Sequence, residues 1–194
     1  AIQAGVDPER IRLFPNGVGG ASGESILDAI ARSRGKTAVI FLAHGNEQGC
    51  VLGSRVLPGQ WIGSALARRL EATKERKFNG NMLLILDWCN SANAAEKIYF
   101  SLSKEVGQLN SQTAVDAQGR LIPDKFIPPE IPFILSASTY FQYAYSGALS
   151  DGLQKSYGQS TGPLTGRHVF AISKDDFQKL TQPMCFLQVG PGDI

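Results

Sequence analysis

Two residues that can perform covalent and acid–base chemistry, His44 and Cys89, follow similar stretches of sequence. His44 comes directly after Thr37–Ala43, and Cys89 comes shortly after Met82–Leu86. Both stretches are nearly continuous apolar runs of the kind found in buried parallel strands. A helical segment separates them, so we expect two neighbouring strands of one sheet. Because the carboxyl ends of parallel strands meet at one edge, His44 and Cys89 are predicted to face each other.

This pair predicts an acyl-transfer site. A cysteine attacks as a thiolate and therefore needs a base or a positive field nearby. His44 is the base, and Cys89 precedes a predicted helix, Ala92–Val106, whose dipole and free amides favour an anion. The backbone at Gly45 can donate to the oxyanion of a tetrahedral intermediate, and glycine permits close approach of a substrate backbone. We expect Cys89 to be the nucleophile and His44 its proton-transfer partner.

The remaining cysteines and histidine are predicted to be structural. A single cysteine is most often a small buried hydrophobe, and only the pairing of His44 with Cys89 at two strand ends favours function. Cys50 lies in a predicted hairpin and Cys185 near the end of the chain, neither after a strong strand beside a base, and His168 lies at the start of a predicted strand. Three scattered cysteines form neither a disulfide framework nor a zinc-ligand spacing, which predicts reduced thiols and a cytoplasmic location.

Composition indicates an ordinary globular domain spanning residues 1–194, with 43% hydrophobic and 19% charged residues. The net charge of +2 is not concentrated in a basic block, so nucleic acid is not an expected partner. No apolar run approaches the roughly 20 residues that span a bilayer, and no signal peptide or calcium-loop motif is found. We expect no membrane partner, no metal and no organic cofactor.

Alternating helices and strands predict an α/β fold with a mainly parallel sheet and helices on both faces. The prolines and polar residues of 107–132 predict a long exposed linker. The other predicted elements are a strand at Ile11–Phe14, helices at Glu24–Arg34 and Gln60–Lys74, a hairpin at Gly49–Leu57, and a strand at Phe133–Ala137.

The motifs around the pair carry a family resemblance. Phe41–Gly45 (F-L-A-H-G) followed by Leu86–Ser91 (L-D-W-C-N-S) resembles the paired His-Gly and Asp-x-Cys signatures of the caspase-like cysteine peptidases. This superfamily includes caspases, metacaspases, paracaspases, legumain-type peptidases, clostripain, gingipains and separases. The spacing of 45 residues between the histidine and the cysteine agrees with the roughly 50 expected in caspases. Asn90 and Ala92 depart from the family pattern, so no subfamily is assigned.

The resemblance implies a fold and an activity. The fold would be a caspase-like three-layer sandwich, and the activity would be that of a cysteine endopeptidase, a thiol protease acting on polypeptides. The family's first core strand is not found after Ala1, so we expect an upstream segment or a second chain to complete the sheet. The alternatives are a catalytically inactive caspase-like binding or scaffold module, and an α/β-hydrolase, which would have to lack its G-x-S-x-G elbow.

Substrate-binding residues also follow from the resemblance. Ser136, Ala137, Ser138 and Gln142 are similar to the strand and loop that line the substrate cleft in metacaspases and legumains. Asp87 stands where metacaspases and clostripain-like enzymes bind a basic P1 residue, which makes Arg or Lys at P1 the first expectation. The alternative is that Asp87 caps the following helix or bonds to local backbone.

The predicted linker lies where caspases are cut between their large and small subunits. Exposed polar segments are favoured sites of proteolysis, so a zymogen that cleaves itself at Arg120 or Lys125 is one hypothesis. An unprocessed surface excursion is the alternative.

Overall fold

The computed structural model describes residues 7–15, 22–75, 77–78, 81–113, 116–117, 132–138, 143–144, 154 and 184–186. For 109–113 and 184–186 the description is confined to the backbone. The predictions made for Arg120, Lys125, Gln142 and His168 concern positions outside these residues.

Within the described residues, helices and strands alternate along much of the chain. A short 3-10 helix spans Pro8–Arg10. The α-helices are α1 (Gly23–Arg32), α2 (Gly59–Thr73) and α3 (Ser91–Thr113), and the strands are β1 (Thr37–Leu42), β2 (Gly49–Leu52), β3 (Arg55–Pro58), β4 (Met82–Asp87), β5 (Phe133–Ser136) and β6 (Met184–Phe186). The strand predicted at Ile11–Phe14 is wrong. These residues have no regular structure, and Leu13 is 84% exposed, so it gains none of the burial that stabilises a strand.

The main sheet has the strand order β1-β4-β5-β6. β1, β4 and β5 are parallel, and β6 runs antiparallel to β5. β2 and β3 form the separate antiparallel hairpin that was predicted. The prediction of an α/β fold with a mainly parallel sheet is thus confirmed for the described strands. The carboxyl ends of β1, β4 and β5 meet at one edge of the sheet.

The three described α-helices pack on one face of this sheet. Their inward residues, such as Ile30, Leu66 and Ile98, share one hydrophobic cluster with alternate residues of the strands. The cluster members that belong to the main sheet all point to the same side: Val39, Phe41, Met82, Leu84, Leu86 and Ile134. Right-handed crossovers that step from β1 to β4 to β5 in one direction place their helices on the same side. The second helical layer that was expected is therefore not found among the described helices.

On the opposite face, β1 is far more exposed than predicted. Ile40 is 57% exposed and Leu42 is 58% exposed, whereas Ile85, which lies beside Ile40 on β4, is buried. The prediction that β1 is buried on both faces is wrong because this strand ends the described sheet. Among the described strands only β4 pairs with β1.

Two glycines bring α2 unusually close to α3. A Cβ atom on Gly59 would lie 2.6 Å from the carbonyl oxygen of Ala94, and one on Gly63 would lie 2.7 Å from that of Ile98. This packing holds the first half of α3, the helix that begins just after Cys89. α3 continues to Thr113, so the first residues of the predicted 107–132 linker are helical.

Candidate active site

His44 and Cys89 follow neighbouring parallel strands at the same level. Leu42 lies beside Asp87, an offset of 45 residues that is kept along the whole pairing of β1 with β4. Ala43 extends the ladder by donating its N–H to the Asp87 carbonyl at 3.4 Å. His44 and Cys89 are separated by the same 45 residues. Each therefore stands two positions beyond the last paired residue of its strand, at the carboxyl edge of the sheet.

The sulfur atom of Cys89 is half-buried and contacts the backbone of Ala144. The Ala144 N–H donates to Sγ at 3.4 Å, and the thiol is 3.5 Å from the Ala144 carbonyl oxygen, which accepts. These two contacts hold the thiol against the backbone of Ala144. The start of α3 at Ser91 adds the positive end of the helix dipole.

A sharp turn at Asn90 links β4 to α3 and leaves Cys89 at its apex. Asn90 has φ of 59°, in the left-handed region, where asparagine is among the few residues that occur readily. Its carbonyl oxygen accepts a hydrogen bond from the N–H of Asn93 at 3.1 Å. The left-handed residue lets the chain reverse direction within one position.

The backbone after His44 is held by the β2–β3 hairpin. The His44 carbonyl accepts a hydrogen bond from Val51 N–H at 2.8 Å, and Asn46 N–H donates to a hairpin carbonyl at 3.0 Å. Gly45 lies between these two bonds, opposite Cys50. In such a pair the N–H of the central residue points away from the partner strand, so the Gly45 amide is directed away from the hairpin. The His44 side chain is exposed.

A lysine on α3 ties the same loop to the nucleophile helix. Lys97 Nζ donates to the Glu47 carbonyl oxygen at 2.6 Å. The side chain of Asn46 accepts hydrogen bonds from Gln48 N–H at 2.9 Å and from Gly49 N–H at 3.2 Å, which closes the loop tightly. The His44 loop therefore rests on the helix that follows Cys89.

The indole of Trp88 explains why residue 45 is glycine. Trp88 is buried and meets Phe41 edge-to-face, with ring centroids 5.6 Å apart. A Cβ atom on Gly45 would lie 2.0 Å from the Trp88 ring. The sequence-based explanation for Gly45, close approach of a substrate, is thus joined by a packing requirement that the sequence did not reveal.

Three residues predicted to line the substrate cleft have buried side chains. Ser136, Ala137 and Ser138 lie at the carboxyl end of β5, and none of them is exposed to solvent. The hydroxyl of Ser138 contacts the Cys89 turn by donating to the carbonyl oxygen of Trp88 at 3.2 Å. The fourth predicted residue, Gln142, lies outside the described residues.

Asp87 occupies the last position of β4 and is also fully buried. Strand alternation directs it to the sheet face opposite the helices, beside Leu42 on β1. The structure thus brings His44, Gly45, Cys89 and Asp87 to one edge of the sheet. Burial of the carboxylate is compatible with both hypotheses for Asp87, binding of a basic group and bonding to local backbone.

Sequence reasoning assigned no role to Trp88 or Ser91 and did not predict the contact of Ala144 with Cys89. A serine at a helix start is a familiar signal for capping, so Ser91 was open to recognition. Neither the contact of Trp88 with the His44 loop nor that of Ala144 with Cys89 has a local sequence signal. Both depend on residues that are distant along the chain.

Cys50 lies close to the His44 loop but differs sharply from Cys89. It is fully buried, and this burial raises the pKa of its thiol to about 11. The thiol therefore stays neutral near neutral pH and is a poor nucleophile. This agrees with the structural role predicted from the sequence. Cys185 lies in β6, beside Leu135.

No group of three or more His, Cys, Asp or Glu residues in the described part of the chain is arranged to hold a metal ion. None of the described helices is long and apolar enough to cross a membrane. Comparison of the chain with models of known protein families, with curated proteins and with solved structures finds no match.

Proposed function

We propose that this chain is a caspase-like cysteine endopeptidase that hydrolyses peptide bonds with Cys89 and His44. The observation that carries the proposal is the common level of the two residues at the ends of adjacent parallel strands. The helix that begins at Ser91 places its amino-terminal end beside the nucleophile, where the helix dipole stabilises negative charge that develops during the reaction. The proposal includes the fold, in which the described helices would form one layer of the sandwich.

The proposed mechanism has two steps. His44 takes the thiol proton, and Cys89 Sγ attacks the scissile carbonyl carbon to give a tetrahedral intermediate whose oxyanion accepts the Gly45 N–H. His44 then protonates the leaving amine as the C–N bond breaks, which leaves a thioester. Water, deprotonated by His44, attacks this thioester, and the carboxylic acid leaves as the thiol is restored. The Gly45 amide suits this role because the hairpin does not use it.

We further propose Arg or Lys as the preferred P1 residue, with Asp87 as the anion that binds it. A carboxylate buried at the same sheet edge as Cys89 offers a site where a guanidinium or ammonium group would meet little competition from water. Peptides that differ only at P1 test this preference. Cleavage after other residues, with Arg and Lys peptides ignored, would contradict it.

The activity is tested by comparing wild type with Cys89→Ala, His44→Ala and Cys50→Ala. Either of the first two substitutions should lower the rate of peptide cleavage by about a thousandfold or more, because each removes a group that bonds to or exchanges protons with the reacting atoms. Cys50→Ala is the matched control, since it removes a buried cysteine beside the same loop. Cleavage, or labelling by a peptidyl electrophile, that survives Cys89→Ala would refute the proposal.

An inactive binding module is the second candidate function, and one observation favours it. The backbone of Ala144 already makes both a donor and an acceptor contact with the Cys89 thiol, so a substrate must compete with the chain itself. Self-processing in the 107–132 segment is a means by which a zymogen would relieve such a contact. Intact-mass measurement of wild type and Cys89→Ala tests this. Processing seen only in wild type supports the enzyme, whereas a stable, inactive wild type supports the module.

A further inference from the structure

A single residue from a distant part of the chain closes the turn that carries Cys89. Ser138 follows β5, and its hydroxyl donates to the carbonyl oxygen of Trp88 at 3.2 Å. The hydroxyl oxygen of Ser138 also accepts a hydrogen bond from the N–H of Ser91 at 3.1 Å. Trp88 and Ser91 lie immediately outside the pair Cys89 and Asn90. The Ser138 hydroxyl therefore bridges the two ends of the nucleophile turn.

Ser91 makes the reciprocal contact with Ser138, and the resulting network uses the hydroxyl hydrogens of both side chains. Ser91 Oγ accepts from the N–H of Ser138 at 3.1 Å, and the two hydroxyl oxygens are 3.3 Å apart. With the Ser138 hydrogen directed to the Trp88 carbonyl, the Ser91 hydroxyl is the donor in this second contact. Both side chains are fully buried. A satisfied polar network in the interior is rigid, because any displacement leaves a buried group without its partner.

The turn needs such support for a physical reason. Asn90 is in the left-handed region, which is less favourable for any residue other than glycine. The first amides of a helix also require acceptors, and Ser138 supplies one for Ser91 from outside the helix. The network thus supports the left-handed turn at the point where the position of the thiol is determined.

We propose that Ser138 and Ser91 are positioning residues that set the location of Cys89 relative to His44. This inference rests on the proposed function for the identity of the nucleophile. It replaces direct substrate contact as the role of Ser138, whose hydroxyl is buried and fully engaged by the turn. Small displacements of a reacting group are expected to lower the rate strongly, by up to about a hundredfold for about 1 Å.

The experiment compares Ser138→Ala, Ser138→Thr and Ser91→Ala with wild type. Ser101→Ala is the matched control, since the Ser101 hydroxyl also links distant elements, donating to the Gln60 carbonyl at 3.0 Å, but lies away from the turn. For each variant, the rate of Cys89 alkylation by iodoacetamide is followed by peptide mass spectrometry over about pH 6 to about pH 9. Peptide cleavage gives kcat and KM separately, and circular dichroism establishes the folded fraction.

Ser138→Ala should lower both kcat and the alkylation rate of Cys89 by about tenfold or more, with a smaller effect on KM. Ser138→Thr keeps the hydroxyl and should restore both rates to within about threefold of wild type. Ser91→Ala should act in the same direction as Ser138→Ala, and Ser101→Ala should leave both rates unchanged.

Two results overturn the inference. A rise in KM with unchanged kcat and unchanged Cys89 alkylation would show that Ser138 contacts the substrate. A loss of thermal stability with unchanged Cys89 alkylation would show that the network stabilises the fold without positioning Cys89. If Ser138→Ala does not fold, Ser91→Ala decides the question. A Cys89 alkylation rate in Ser91→Ala equal to that of wild type would contradict the inference. Alkylation does not require peptidase activity, so the inference is tested even if the wild type cleaves no peptide.

Discussion

The indole ring of Trp88 occupies the space that a side chain on Gly45 would need. Through this contact, the turn after β4 restricts the turn after β1. Both candidate catalytic residues are adjacent to the contact, since His44 precedes Gly45 and Cys89 follows Trp88. The spacing of the two turns is therefore determined by packing beneath them as well as by the hydrogen bonds of the sheet.

Gly45→Ala should reduce both stability and activity. Its Cβ atom would fall within the Trp88 ring, so the loop or the indole must shift, at a cost of about 1–3 kcal/mol in the free energy of unfolding. Because His44 moves with the loop, peptide cleavage should fall by about a hundredfold.

Gly107→Ala is the control for Gly45→Ala. A methyl group at this position of α3 meets no other atom within 4 Å, and alanine is the better helix former, so this variant should be about 1 kcal/mol more stable than wild type. Urea unfolding of both variants measures the contrast. Equal effects of the two substitutions would show that Trp88 does not restrict residue 45.

Asn90 should tolerate glycine better than alanine. Its φ of 59° is unrestricted for glycine but unfavourable for a residue with a Cβ and no polar side chain. We expect Asn90→Ala to lower the free energy of unfolding by about 1 kcal/mol, and Asn90→Gly to change it by less. Thermal denaturation measures both. An Asn90→Ala variant as stable as Asn90→Gly would contradict the left-handed turn.

A thiol reagent should distinguish Cys89 from Cys50. Cys89 is partly exposed, whereas burial raises the pKa of the Cys50 thiol to about 11, so near pH 8 the native protein should be modified at Cys89 and not at Cys50. Peptide mapping after a short reaction with iodoacetamide measures this. Unfolding in urea before labelling should make both sites react, which serves as the control.

The same pKa predicts how stability changes in alkali. The folded-state pKa of Cys50 is raised above its ordinary value of 9.0, so its contribution is fully present below about pH 9 and is lost as the pH rises towards 11. The complete loss corresponds to about 3 kcal/mol. Cys50→Ala should therefore lose less unfolding free energy than wild type between about pH 8 and about pH 10.5. Parallel pH profiles for the two proteins would contradict the assignment.

Asp87→Asn tests the proposed P1 contact while keeping the size of the buried side chain. If Asp87 binds the basic P1 group, kcat/KM for Arg peptides should fall by about a hundredfold, because a charge-assisted hydrogen bond of about 1.5–3 kcal/mol is lost. Peptides with neutral P1 residues should be affected much less. Equal losses for both peptide classes would instead favour bonding of Asp87 to the local backbone.

The sequence alone was sufficient to place His44 and Cys89 after two neighbouring parallel strands. Continuous apolar runs identify β1 and β4, a helical crossover makes them parallel, and the residues that follow parallel neighbours must meet at one edge. Each of these steps uses short-range patterning, which is determined by backbone geometry and side-chain burial. The boundaries were less accurate, since α3 runs on to Thr113, beyond the end predicted at Val106.

Tertiary structure decided what surrounds the pair. The network of Ser138 with Ser91 joins residues 47 positions apart, and the contact of Trp88 with Gly45 depends on how two turns pack beneath the loop. The exposed face of β1 likewise follows from its place at the end of the described sheet, although its composition is that of a buried strand. Such features arise only when distant segments meet, because hydrogen-bond partners and steric limits are set by three-dimensional proximity, which local periodicity does not encode.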